Sequence, residues 1–409
     1  MNYVTRVTSL VSGLAVIIAA AESQAQDWPQ WRGPNRDDKV SGFTPPKAWP
    51  QQLNTKWKVA VGKGDATPAL VGDKLYVFAR QEDSEVIECL DAGKGAILWS
   101  NQYEALAPTG PAGQHPGPRS SPTVAAGKVV TLGVRGTLSC LDAESGKVLW
   151  RKDEIKGWPD FFTATSPLVA QGLCIAQLGS KNNGVVVAYD LATGTEKWKW
   201  AGDGPAYASP VLMTVGDDKL IVAQTDKRVV ALKLADGTLA WETQFMGQGM
   251  GAGNFDTPIV DGQTIIYTGQ GRGTVAVKLD KQGESCTATG LWTNTDNSPR
   301  FCTPVLKEGL LFGLSDAGNF YCINAQTGKT AWTEAAGKRG NFGSVLDAGP
   351  VLLALTQKAQ LIVLQPSAKE YTEVANIKVS DKRTYAHPVV SGSRIYVEDE
   401  DSVSLLTVD

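Results

Sequence analysis

Apolar residues in this chain fall in short runs, broken every few positions by Gly, Asp or Asn, the pattern of many short strands joined by turns. The runs repeat. CLDAGKGAILW (Cys89 to Trp99), CLDAESGKVLW (Cys140 to Trp150), AYDLATGTEKW (Ala188 to Trp198), ALKLADGTLAW (Ala231 to Trp241) and CINAQTGKTAW (Cys322 to Trp332) align over eleven positions. Each opens on a small residue at a strand end, passes through a polar turn with Gly, and closes on Trp. In such a turn Asp or Asn accepts backbone hydrogen bonds, and Gly adopts a conformation other residues resist. The small first residue, Cys89, Cys140 and Cys322 or Ala188, Ala231 and Ala276, reads as a tight core site.

A second landmark, Ser or Thr followed by Pro, precedes each unit: Thr67-Pro68, Ser121-Pro122, Ser166-Pro167, Ser209-Pro210, Thr257-Pro258 and Thr303-Pro304. His387-Pro388 stands in the same place, and Gly343-Ser344-Val345 is a degenerate copy. Landmarks recur every 41 to 54 residues or so, the period of four-stranded propeller blades. The large anchors are Trp57, Trp99, Trp150, Trp198, Trp241, Trp292 and Trp332, with Tyr371 in the weakest copy. Trp57 precedes the first landmark, and the last copy ends without an outer strand. Ring closure resolves the offset: Lys56 to Val59 supplies the outer strand of a last blade whose inner three strands run from His387 to Val408. Closure also removes two open sheet edges. The expected fold is all-β, an eight-bladed β-propeller over residues 51–409.

Ahead of it, Met1 to Arg6 is weakly basic, Leu10 to Ala21 is almost wholly apolar, and Ser23-Gln24-Ala25 supplies small residues. That is the layout of a secretory signal peptide cut after Ala25, too short to span a bilayer comfortably. No cysteine lies near the cut for lipid attachment. The expectation is a soluble exported monomer, periplasmic or secreted, with an extension over residues 26–50 whose Trp28, Trp31 and Trp49 favour packing over disorder. Export permits disulfides, and Cys286 with Cys302 is the pair that could form one, if geometry allows.

Composition narrows the function. A net charge of −3 leaves no basic excess to neutralise phosphates, so nucleic acid is not an expected partner. Only His115 and His387 occur, too few for a histidine-rich metal site, and neither has an Asp or Ser partner at motif spacing. Gly269-Gln-Gly-Arg-Gly273 reads as a turn rather than a phosphate loop, because no helix follows it. Glu398-Asp-Glu-Asp401 reads as a solvated turn.

The eleven-residue units resemble the tryptophan-docking motif, roughly A-x-D-x-x-T-G-K-x-x-W, of the eight-bladed quinoprotein alcohol dehydrogenase-like propellers, a fold shared with the outer-membrane assembly lipoprotein BamB. The resemblance covers residues 51–409 and implies that each Trp packs between its own blade and the next. The segment DWPQWRGPNR (Asp27 to Arg36) is similar to the leader of exported repeat proteins of this type. One fold hosts enzymes and binding proteins alike. For an enzyme, the resemblance implies pyrroloquinoline quinone on the axis beside calcium, an Asp as base, and often a disulfide between adjacent cysteines. This chain has no adjacent cysteines, and its near-axis carboxylates, Asp65, Asp160, Asp256 and Asp381, are scattered over different blades. The expectation is therefore a binding scaffold without catalytic residues, metal or cofactor, engaging a protein or an extracellular polymer. A quinone- and calcium-dependent dehydrogenase is the alternative.

Binding would use the loops that lead from each outer strand to the next inner one, which are longest at Asn101 to Ser120, Gly157 to Phe162 and Phe245 to Phe255. Two residues before each landmark stand Asp65, Arg119, Ala164, Tyr207, Phe255, Phe301, Phe342 and Tyr385, flanked by Asn254, Arg300 and Asn341, with Arg339 and Arg383 farther out. Strand alternation puts this position beside the channel mouth. A funnel built from Arg119, Tyr207, Asn254, Phe255, Arg300, Phe301, Asn341, Phe342, Tyr385 and His387 would suit a flat or anionic ligand or a partner's peptide. Alternatively, the rings only pack between blades, and His387 is first a packing variant and second a candidate base.

Overall fold

The computed structural model describes residues 26–249, 253–334 and 340–408; the expected signal peptide and Arg339 lie outside the described residues. Eight four-stranded antiparallel sheets form the ring. Blades 1 to 7 are residues 69–104, 123–152, 168–200, 211–244, 259–294, 305–333 and 343–378, each four strands in sequence order. Blade 8 combines Val389–Ser391, Arg394–Glu398 and Ser402–Thr407 with the N-terminal strand Asn54–Ala60. Trp57 pairs with Leu405 and Val59 with Val403, so the two ends of the propeller close it as expected.

The repeat unit has a physical account in every part. Asp91 Oδ1 accepts the amides of Gly93 and Lys94, and Asn324 Oδ1 those of Gln326 and Thr327. The small residue sits cross-strand from its Trp, as in Cys89 with Trp99, Cys140 with Trp150 and Ala188 with Trp198, and all of these small residues are fully buried. Each indole then crosses the seam. Trp57, Trp99, Trp150, Trp198, Trp292 and Trp332 donate Nε1–H to the carbonyls of Ala92, Ala143, Leu191, Leu234, Ala325 and Ser367 in the following blade, at 2.8–3.2 Å. The turn glycine serves this packing as much as its own backbone. A Cβ on Gly146 or Gly237 would lie 2.4 or 2.5 Å from the incoming Trp99 or Trp198, and both have φ near +70°. Blade 5 departs from the rule because its hairpin, Gly273–Gln282 with Ser285–Asn294, is long; Trp241 packs there against the blade 4–5 core without a docking glycine.

All six cysteines are buried and free, and Cys286 and Cys302 lie in separate core clusters. Gln270 to Arg272 form a turn. The acidic turn of blade 8 is solvated only in part: Glu400 is exposed and Asp401 half-exposed, whereas Glu398 and Asp399 are buried, and Asp399 accepts from Lys58 and Ser402.

Near the axis the landmark hydroxyls link blade to blade. Ser166, Ser209, Thr257 and Thr303 accept the amides of Ser121, Ser166, Ser209 and Thr257, and Thr67 accepts that of His387. The extension runs through this belt. Trp28 pairs with Leu70, Pro29 accepts from Val124, and Asp38 and Val40 bond Asp347. Between them the segment Trp31 to Asp38 fills the axis. Arg32 bonds the Pro304 carbonyl at 3.0 Å, and Arg36 bonds those of Pro210, Ser166 and Pro167. Three non-glycine residues here, Arg32, Arg36 and Asp38, hold φ between +56° and +59°, a strained conformation imposed by these contacts.

Candidate functional site

Above the plug the channel mouth opens as a cup of about 330 Å³. Its wall is a run of rings contributed one per blade by the position two before each landmark. Tyr207 stacks on Phe255 (5.0 Å between centroids), Phe255 meets Phe301 edge-on (4.8 Å), Phe301 stacks on Phe342 (3.9 Å), and Phe342 meets Tyr385 edge-on (5.2 Å). Tyr385 in turn abuts His115, and Phe161 abuts Tyr207. Blade 3 carries Ala164 at the wall position, and Phe161 from its long loop takes the vacant sector. Arg119 closes the circle by donating to the carbonyls of Phe161, Ala112 and His115. The rings that pack on one another between blades also face the cavity.

The floor is the extension. Trp31 donates Nε1–H to Thr257 Oγ1 at 2.9 Å and lies 4.3 Å from the His387 ring. His387 Nδ1 is 3.2 Å from Asp38, which also pairs with Arg32. Burial works to raise the Asp38 pKa, but Arg32 and His387 outweigh it and hold the carboxyl below its usual value. Arg36, fully enclosed among carbonyls, is pushed down to about 9 by desolvation. Asp256 accepts from Thr268 and is raised to about 6 by burial. Desolvation likewise lowers the Arg119 pKa, since only neutral carbonyls accept from it.

Of the sequence-predicted residues, Arg119, Tyr207, Phe255, Arg300, Phe301, Phe342, Tyr385 and His387 line the cup. Asn254 and Asn341 stand behind the wall. Asn254 is fully buried, donating to Thr225 and Phe245, and Asn341 donates to Asp316. Both histidines have the acidic partner that motif spacing did not reveal: His115 Nδ1 lies 2.8 Å from Asp65, and His387 faces Asp38. Fifty positions separate His115 from Asp65, and only the repeat alignment, which put Asp65 in the wall series, hinted at their meeting. Trp31 could not be found by that alignment, because it lies outside the repeats.

Among the described residues no cluster of three or more His, Cys, Asp or Glu side chains could hold a metal ion, and no helix is long and apolar enough to cross a membrane.

Comparison with known proteins agrees with this architecture. The chain is 24% identical to BamB of Yersinia pestis over 56% of its own length and 59% of that protein, so the match spans about three fifths of that relative. It is 24% identical to BamB of Burkholderia pseudomallei over 98% of both chains. Among solved structures, BamB from Moraxella catarrhalis superposes with a TM-score of 0.65 at 16% identity over 87% of this chain and 99% of that one. Quinohemoprotein alcohol dehydrogenase from Comamonas testosteroni superposes at 0.71, 15% identical, over 95% and 81%. These structural likenesses concern the fold alone. Residues 82–334 match the family described as outer membrane protein assembly factor BamB, and the chain belongs to that family.

Proposed function

We propose that this protein is an exported, non-catalytic scaffold that engages a protein partner through its loop face, with the aromatic cup as the anchor pocket. The observation that carries this reading is the cup itself: five successive blades turn an aromatic ring into one cavity, and Arg300 stacks over two of them, Phe255 and Phe301. Aromatic and arginine side chains around a desolvated pocket are the usual centres of binding energy in protein interfaces. Exposed apolar residues on the surrounding loops, Leu106, Phe161 and Met246, would extend the contact beyond the cup. The relatives' name, outer membrane protein assembly factor, agrees with a role in bringing other proteins together.

The quinone and calcium that the fold family implies do not fit these residues. Calcium takes six to eight oxygen ligands. The cup's carboxylates are Asp65, already engaged by His115, and Asp256, buried against Thr268 four blades away. The axis below is filled by the chain's own Trp31 to Asp38.

The test is partner capture by cross-linking in the native cells, wild type against Arg300→Ala/Phe301→Ala. Loss of the partner in the double variant, with its melting curve retained, supports the reading. Stoichiometric uptake of quinone with calcium and dye-linked alcohol turnover would overturn it.

A further inference from the structure

The outer strand of blade 5 differs from the other seven. At ten residues, Ser285–Asn294 is the longest of them, and it carries no charged side chain. Every other outer strand of five residues or more holds at least one Lys, Arg or Glu, from Lys56 and Lys58 in the strand that closes blade 8 to Glu373 and Lys378 in blade 7. Thr330–Thr333 is uncharged but only four residues long. An outer strand has unpaired backbone groups along one side, and charged side chains, lysine above all, are the usual guard against a foreign strand pairing there. Blade 5 lacks that guard.

The hairpin that carries this edge is also held in place. Lys281 pairs with Asp217 and Asp218, and Glu284 with Lys233, so ion pairs set its tip against blade 4. The two-residue turn Gly283-Glu284 makes Gln282 and Ser285 a hydrogen-bonded pair. Alternation along the ladder then turns the N–H and C=O groups of Cys286 and Ala288 away from the inner strand. Thr287 to Leu291 are exposed, and a Cβ on Gly290 would meet nothing within 4 Å. Trp241, on the adjoining outer strand of blade 4, packs on the core cluster that includes Cys286, yet its indole N–H has no acceptor among the described residues.

A row of free amides and carbonyls is complemented by another extended backbone. We propose that Ser285–Asn294 docks an extended, uncharged segment of a partner polypeptide, which joins blade 5 as a fifth strand. The segment is uncharged because this edge offers no charge to pair with: Lys278 and Asp280, across the ladder from Thr289 and Thr287, neutralise each other at 2.8 Å. The edge shares no residue with the cup, and the proposal rests on the reading that this protein holds other polypeptides.

The experiment titrates the full mature chain by calorimetry with acetyl-Ser-Val-Thr-Val-Thr-Val-Ser-amide. Its counterparts are the same peptide N-methylated at alternate residues, and versions with Lys or Glu in place of both Thr. N-methylation should weaken binding at least tenfold, because it removes main-chain donors and keeps the side chains, and either charged version should bind severalfold more weakly. Ala288→Pro, which removes one outward N–H, and Thr287→Lys, which supplies the missing guard opposite Asp280, should each weaken binding at least tenfold; Thr287→Lys leaves the backbone unchanged and stands if the proline variant misfolds. Equal binding of the N-methylated peptide, a charged peptide preferred, no binding of the uncharged peptide, or full binding by Thr287→Lys would each overturn the proposal. A wild-type dimer in sedimentation that Thr287→Lys abolishes would assign the edge to a second copy and overturn it as well. Partner capture through Arg300 and Phe301 is read separately, so a failed peptide titration with capture intact would discard the edge and leave the scaffold reading standing.

Discussion

The Trp150 side chain covers Gly194 of the following blade so closely that a Cβ there would lie 2.7 Å from the indole, and its Nε1–H bonds the Leu191 carbonyl of the same turn at 3.0 Å. Gly194 also has φ of +71°. Trp150→Ala should therefore cost about 3–5 kcal/mol, the usual range for emptying a large aromatic site. Gly194→Ala should be destabilising as well, through both the clash and the left-handed backbone. Only the clash depends on the indole. Denaturant melts of the two single variants and the double should show Gly194→Ala costing less in the Trp150→Ala background, with a coupling of about 0.5–3 kcal/mol. Strict additivity would mean that the glycine serves its own turn and not the seam.

The axial plug gives a second test. Arg32 and Asp38 are both buried, and their ion pair is part of what holds the strained segment in the channel. Breaking one side leaves an uncompensated charge, typically worth about 3–5 kcal/mol. Arg32→Met should destabilise by that order. The double variant Arg32→Met/Asp38→Asn should recover part of the loss, because the stranded carboxylate is gone. Chemical denaturation of the three proteins checks the order of midpoints.

Thr257 Oγ1 accepts two donors, the Ser209 amide and the Trp31 indole N–H. Thr257→Val keeps the side-chain shape and leaves both donors without that acceptor. The expected cost is about 1–3 kcal/mol per stranded buried group. The change in Trp31's hydrogen bonding should also shift the protein's tryptophan fluorescence. A neutral Thr257→Val would show that the hydroxyl belt follows from the repeat without supporting it.

Repetition made most of this fold legible in the sequence. The recurring Trp, turn residue and Ser/Thr-Pro are local signals, and the copies corrected one another, so even the closure of Trp57 onto Leu405 followed from counting. The wall rings were legible for the same reason: Tyr207, Phe255, Phe301, Phe342 and Tyr385 share one register position. What could not be read were the unique contacts. The Asp65–His115 and Asp38–His387 pairs join residues from different blades, or from outside the blades, at separations with no period. Asn254 and Asn341 are adjacent to wall residues in sequence, and alternation turns them away to tie loops together. In the acidic run 398–401, composition could not show that Glu398 and Asp399 turn inward while Glu400 stays exposed.

Glu398 offers a pH test. Its carboxyl is buried, neither oxygen has a hydrogen-bond partner among the described residues, and burial, reinforced by Asp65 and Asp399, holds its pKa well above the ordinary value. The folded state thus binds this proton more tightly than the unfolded chain does. Its contribution to stability is complete below the unfolded value of about 4.3 and is lost progressively as pH rises toward the folded value. Glu398→Gln has no proton to lose. Its own pH-independent cost, a buried amide in place of a buried acid, cancels when the difference between variant and wild type is followed with pH. Relative to wild type, the variant should gain stability between pH 4.5 and pH 8, by about 1–2 °C in melting temperature for each kcal/mol in a chain of this length. Buried Asp256 and Glu85 slope the same way in both proteins and drop out of the comparison. A variant-minus-wild-type difference that stays flat across this range would show that Glu398 is ionised and solvated in the folded protein.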